Sequence, residues 1–201
     1  MLTNWGYEIL NSDVLPQIIS IEDFNTLTYN KYANDARAES VISAITASMR
    51  NYCGWHLANN VECSVTYSFD DLHVARSYHG LLIQLPTRCA TAITKILVNG
   101  EEIAPAYFLR QNGILRIYGG CGFFKTITIN FMSGLSDDAG LKSIITSRAV
   151  NALSGPVGVS SESAGGVSIN YSSSYVAGTN ATTLLTADKE YLEPLKIVEM
   201  L

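Results

Sequence analysis

Apolar residues recur at three- and four-residue steps in two long stretches of this chain, and between those stretches the step shortens to two. In the first, Val41, Ile42, Ile45, Met49 and Tyr52 form one stripe, which predicts a helix from about Asp35 to Cys53. Gly54 then offers the left-handed conformation that ends helices. Trp55 and Leu57 are expected to fold back on the last turn, with His56 either bonding a terminal carbonyl or carrying a proton favoured by the helix dipole. In the second stretch, Leu141, Ile144, Ile145, Ala149 and Leu153 predict another helix, with Asp137 and Asp138 at its start. Two shorter helices flank these. Ser20 and Asp23 are spaced as a capping box for a turn through Phe24 and Leu27, broken at Asn30–Asn34. Ala187–Leu192 is expected to be capped by Thr186 and ended by Pro194, leaving Leu195–Leu201 as an apolar tail.

From Val61 to Ser133 the pattern alternates, and turn signals divide it. Asn99-Gly100 separates Ile96–Val98 from Glu101–Ile103, and Asn112-Gly113 separates Tyr107–Leu109 from Ile114–Ile117. Both dipeptides tolerate positive φ and favour tight hairpins. Thr126–Phe131 alternates with its Ile and Phe side chains facing one way. About six to eight short strands in an antiparallel sandwich or barrel follow. The fold class read from this order is α+β, with a helical core, an inserted antiparallel β-sandwich or barrel-like domain and an extended C-terminal arm. Its segments are an N-terminal arm with helices at 1–58, the β-domain at 59–134, a core helix at 135–154, an arm or hairpin at 155–183, and a short helix with tail at 184–201.

Ser154–Thr183 is rich in Gly and Ser, with one acidic residue, Glu162, and no basic one. Composition alone suits a flexible linker. Val167, Ile169 and Tyr171 nevertheless alternate with polar residues as a strand would, so an arm or hairpin that orders against a neighbouring subunit is the stronger reading.

Only 15% of the 201 residues are charged, against 47% hydrophobic, below the roughly 25% charged of average domains. Faces covered by other subunits would explain this. A net charge of −5 without any basic run argues against a protein that grips nucleic acid, yet it suits a tube through which DNA slides. Four cysteines, Cys53, Cys63, Cys89 and Cys121, lack a Cys-x-x-Cys pair and read as reduced thiols. Neither a signal peptide nor an apolar membrane span is evident, so synthesis in the cytoplasm and no membrane contact are expected.

Candidate chemistry is thin. His56, His73 and His79 with Cys53 and Cys63 have poor spacing for zinc. Gly119-Gly120-Cys121-Gly122 follows a strand but precedes no helix, which makes it a hairpin tip rather than a phosphate loop. Asp70-Asp71 and Asp137-Asp138 suit turns and helix starts. With no nucleophile elbow or phosphate loop, the expectation is a protein that is not an enzyme, without metal or cofactor.

Tyr52-Cys53-Gly54-Trp55-His56 after a helix resembles the head-tail connector (adaptor, head-completion) proteins of tailed bacteriophages. The likeness extends upstream to Leu15-Pro16, Ser20–Asn25 and Lys31-Tyr32, and downstream to Leu81–Ile83 with Leu85-Pro86, Ser161–Tyr171 and Tyr191–Ile197. Where Leu195 stands, that family more often has tyrosine. The resemblance covers Leu15 to Ile197 and implies a structural role in the virion neck. It implies a dodecameric ring beneath the portal protein, helical cores around a DNA channel, and contact below with a stopper or tail-completion protein. It also implies a C-terminal segment docking on the portal. Tyr191, Leu192, Pro194, Leu195, Ile197, Val198 and Met200 are the expected docking residues, unless the tail folds onto its own core. Val167, Ile169 and Tyr171 are the expected inter-subunit arm. The alternative is a tail or baseplate β-domain acting as a binding module.

Overall fold

Alternation along Val61–Ser133 builds two antiparallel sheets that share one core. The computed structural model describes residues 1–71, 73–77, 80–110, 112–118, 124–135, 138–154, 161–164, 167–170 and 182–197. The chain divides into two units, one of Met1–Pro16, Cys53–Asp137 and Leu195–Leu201, the other of Gln17–Tyr52 and Asp138–Pro194.

The first unit is the sheet unit. Strands β1 (Glu8–Ile9), β2 (Val61–Ser68), β5 (Ala90–Val98), β6 (Glu101–Ile103) and β9 (Thr126–Ser133) form a five-stranded sheet in the order β1-β2-β9-β5-β6. Strands β3 (Val74–Ser77), β4 (Gly80–Gln84), β7 (Tyr107–Leu109) and β8 (Ile114–Ile117) form a second sheet in the order β3-β4-β8-β7. Neither closes on itself, so of the two expected forms this is the sandwich. The period of two decides which residues meet: Val61, Cys63, Val65, Ile127, Ile129 and Phe131 from one sheet join Leu81, Ile83, Leu115 and Ile117 from the other in a single buried cluster. The first sixteen residues, expected as an arm beside the helices, belong here. Glu8 and Ile9 pair with Ser64 and Cys63, and Tyr7 and Ile9 enter the core, which covers the edge of β2.

The two Asn-Gly turns differ. Asn99 and Gly100 both take positive φ, at 53° and 87°, in a two-residue hairpin between β5 and β6. The second hairpin is wider, because the loop from Arg110 to Gly113 has four residues and closes with the Gly113 N–H on Arg110 O.

The second unit is helical: α1 (Ile21–Leu27), α2 (Ala38–Cys53, whose last residue falls in the sheet unit), α3 (Ala139–Ser154) and α4 (Thr186–Leu192). The predicted stripes are buried, with Ile42, Ile45 and Met49 on α2 and Leu141, Ile145, Ala149 and Leu153 on α3. Helix α2 starts three residues later than its periodicity suggests. Asp35 sits in a turn instead, accepting the Arg37 N–H at 2.9 Å and its guanidinium at 2.7 Å, which holds the carboxyl down at about 2. Arg37 also reaches Leu153 O at the end of α3. Ser20 makes one half of the expected capping box, accepting the Asp23 N–H at 3.0 Å, while the Asp23 carboxylate is drawn to Lys142 at 3.4 Å. Strands β10 (Ser161–Ala164) and β11 (Val167–Asn170) form a separate two-stranded antiparallel sheet.

Candidate functional site

The corner after α2 is built in the sheet unit around Trp55. Gly54 has φ +79°, as a left-handed stop requires. Trp55 is fully buried, and its indole N–H donates to Leu195 O at 2.7 Å. Ile197 N–H donates to Cys53 O at 3.0 Å, so the C-terminal segment satisfies a carbonyl that the helix end leaves open. At Leu195 and Ile197, therefore, the tail is folded onto its own unit.

His56 departs from both expectations. It is fully buried; its Nδ1 accepts the Ala58 N–H at 3.0 Å and so bears no proton, leaving Nε2–H to donate to Ser133 Oγ at 3.1 Å. Ser133 Oγ in turn lies 2.6 Å from Thr87 Oγ1. Burying a charged imidazole here would cost far more than this neutral network. The His56–Ser133 pair has the spacing of a base and a nucleophile. Both residues are at most 1% exposed, and Nδ1 holds an amide where a carboxylate would orient a base. The pair ties the corner to β9.

In the helical unit, Asp188 organises α4. Its Oδ2 accepts the Leu185 N–H at 2.8 Å and lies 2.9 Å from Arg148 Nε on α3. The N-cap is thus Leu185, with Asp188 at the third helical position closing back on its N–H, and Thr186, predicted as the cap, is the first helical residue. Tyr191 is exposed, yet its hydroxyl donates to Asp138 Oδ1 at 2.8 Å, a bond that raises the phenol above its ordinary range. Asp138 also accepts the Gly140 N–H, as expected of a residue starting α3. Among the predicted docking residues, Tyr191 and Pro194 are exposed and Leu195 and Ile197 half-buried. Leu192 is fully buried and anchors the segment. Val198 and Met200 lie outside the described residues.

The predicted arm contains the β10–β11 ladder. Glu162 pairs with Ile169 and Ala164 with Val167. Tyr171 is outside the described residues, as are His79, Cys121, the Gly119–Gly122 turn and Asp137.

Among the described residues no group of His, Cys, Asp and Glu could hold a metal ion. Burial pushes the Cys63 thiol up to about 12 and raises Cys89, the opposite of an activated nucleophile. Asp71 accepts the His73 N–H at 3.1 Å in the turn before β3, the structural role foreseen for it. A cavity of about 500 Å³ lies between Trp5, Tyr67, His73, Gln84, Pro86 and Ile197. Its polar groups serve the fold: the Tyr67 hydroxyl donates to Gln84 O, and the Gln84 amide to Leu85 O.

One surface escaped the sequence reading. On the outward side of β4, β8 and β7, Leu82, Arg116 and Phe108 form a cross-strand row, with Arg110, Ile114 and Tyr118 around it. The signal was there in Ile114-Leu115-Arg116-Ile117, whose alternation buries Leu115 and Ile117 and turns Arg116 outward.

The sequence matches no protein-family model and no curated protein. Its structure is similar to a chain in the virion of a native gene transfer agent particle, with a TM-score of 0.57 and 13% identity, covering 97% of this chain and 97% of that one. It is also similar to a chain in the neck of an empty gene transfer agent particle computed with C6 symmetry, with a TM-score of 0.54 and 14% identity, covering 73% of this chain and 84% of the other. The α+β fold is thus one that proteins of gene transfer agent neck and virion also adopt.

Proposed function

We propose that this chain is a structural component of a phage-like neck: a head-tail connector that forms a ring beneath the portal, extends the DNA channel and joins capsid to tail. The observation that carries the reading is the fold shared end to end with a virion protein of a gene transfer agent. A second chain of the same fold comes from a neck treated with sixfold cyclic symmetry. A dodecameric ring contains that symmetry, and closing any such ring requires one face of each subunit to meet a different face of the next. The family-like motifs in the sequence point the same way.

In this reading, Tyr191, Pro194, Leu195, Ile197, Val198 and Met200 present the portal-docking segment, and buried Leu192 holds its root in place. The β10–β11 ladder is the inter-subunit arm. The low charge content and net charge of −5 suit a subunit with covered faces and a channel that does not hold DNA back. Weak contacts repeated around a ring add through effective concentration, so isolated chains can be monomeric until the portal templates them.

The test is negative-stain microscopy of this chain mixed with the portal protein of the same genome. An added ring of matching symmetry on the portal is the expected result. A chain that leaves portals bare and is found in distal tail particles overturns the reading.

A further inference from the structure

We propose that Tyr29, just beyond the end of α1, is the anchor by which one copy of this chain holds the next, and that it seats in the Arg116 recess of the neighbouring copy. The inference rests on the ring reading and adds to it a pair of surfaces that meet.

Tyr29 stands where a helix commonly ends in glycine. Its N–H donates to Thr26 O at 3.2 Å and the Asn30 N–H donates to Asn25 O at 2.7 Å, the two bonds of a Schellman stop, whose first residue past the helix is left-handed. Tyr29 takes that conformation at φ 53°, and Asn30 follows at 58°. Bulky side chains rarely adopt it, so glycine would close this helix at lower cost. Packing within the chain does not compensate, because Tyr29 is 93% exposed, more than any other large hydrophobic residue among those described. A strained backbone that displays an aromatic ring to solvent points to a contact outside the chain.

The residues before Tyr29 define what it fits. Asp23 and Leu27 are four apart and share one face of α1, and both are exposed, as is Glu22 beside them. Glu22 has no ion-pair partner among the described residues, and Asp23 meets Lys142 at 3.4 Å. The nearest base in sequence, Lys31, is turned onto the Tyr32 ring, 5.2 Å from its centre. An apolar, aromatic tip with acids behind it calls for an apolar recess that carries bases.

The second sheet has such a recess. Arg116 lies in register between Leu82 and Phe108, and Arg110, Ile114 and Tyr118 complete a hollow of about 360 Å³. Among the described residues neither Arg110 nor Arg116 has an ion-pair partner, although the chain carries five more acids than bases. A guanidinium stacks on an aromatic face and donates to carboxylate oxygens, so the recess suits both the Tyr29 ring and the acids of α1. Tyrosine and arginine are the residues that most often dominate an interface. Tip and recess are different surfaces, as a closing ring demands.

The test uses the full chain with the portal of the same genome, and rings are counted by negative-stain microscopy. Tyr29→Gly should melt no lower than wild type, because it relieves the backbone, yet weaken ring formation by about tenfold or more. A variant that forms rings like wild type overturns the proposal. So does one that melts lower, since the tyrosine would then serve its own fold. The seat is tested by a photoreactive benzophenone side chain at position 29, in chains diluted into wild type so that rings still close. Irradiation should give a dimer-sized product linked to residues 80–84 or 107–118 of the second copy. A link within one chain, to the portal or to another face of the neighbour overturns the proposal and leaves the ring reading intact. A wild-type chain that forms no ring takes down both.

Discussion

Gly100 and Gly113 occupy turns of the same Asn-Gly sequence, yet substitution should cost different amounts at the two. A Cβ at Gly100 meets nothing within 4 Å, so Gly100→Ala carries only the left-handed backbone penalty of about 1–2 kcal/mol. At Gly113 the same atom would fall 2.1 Å from Thr87 O, and Gly113→Ala should cost roughly 3 kcal/mol or more. Urea unfolding of both variants measures the difference, and equal losses would refute this account. Cys63 contributes to the alkaline sensitivity of the sheet unit. Burial raises its thiol from 9.0 to about 12, and burial likewise raises the phenol of Tyr67. Folding therefore favours the protonated forms: the Cys63 contribution is complete below pH 9.0 and is lost as pH climbs through about 12. Stability followed from pH 8 to 11, about one unit short of that limit, should fall less steeply in Cys63→Ala than in wild type.

Helix α4 depends on a contact that no local pattern announces. Asp188 closes back on the Leu185 N–H at its start and meets Arg148, whose side chain is 13% exposed against 8% for Asp188. Asp188→Ala frees the Leu185 N–H and strands a mostly buried guanidinium, at a cost of about 2–4 kcal/mol. Hydrogen exchange should register the loss first in Thr186–Leu192; unchanged protection there would rule it out. This helix also illustrates what the sequence makes legible. Its existence follows from periodicity and from Pro194, and the boundaries of β7 and β8 follow from alternation around Asn112-Gly113. Its start does not: Thr186 reads as the cap, yet the N-cap is Leu185, with Asp188 closing back on it while Arg148, forty residues away, meets the Asp188 carboxylate. His56 is the same case: a histidine after a helix-ending glycine reads as a surface cap until Ser133, Tyr7 and Ala58, brought in by the sheet, enclose it. The Arg116 face was hidden for another reason. Its members come from three strands, and only their register makes neighbours of Leu82, Arg116 and Phe108.

For the molecule as a whole, the C-terminal segment has a part in the fold and, in the proposed function, a part in docking, and truncation can separate the two. Leu195 and Ile197 serve the sheet unit, one accepting the Trp55 indole N–H and the other satisfying Cys53 O. Docking on a portal, in the proposed function, falls to the segment as a whole and to its apolar end. Removing residues 198–201 keeps both of those hydrogen bonds, so thermal stability should fall by less than on removal of 195–201, while the capping of portal rings is abolished. Removing 195–201 should abolish capping and also strand a buried indole N–H, at roughly 1–3 kcal/mol, with a red shift in Trp fluorescence. Calorimetry and portal binding on the two truncations together decide the matter. If the shorter truncation still caps portals, docking does not depend on the end of the chain. If the longer one melts like wild type, Leu195 and Ile197 do not hold the Trp55 corner, and an unstable fold could no longer explain any loss of docking they cause.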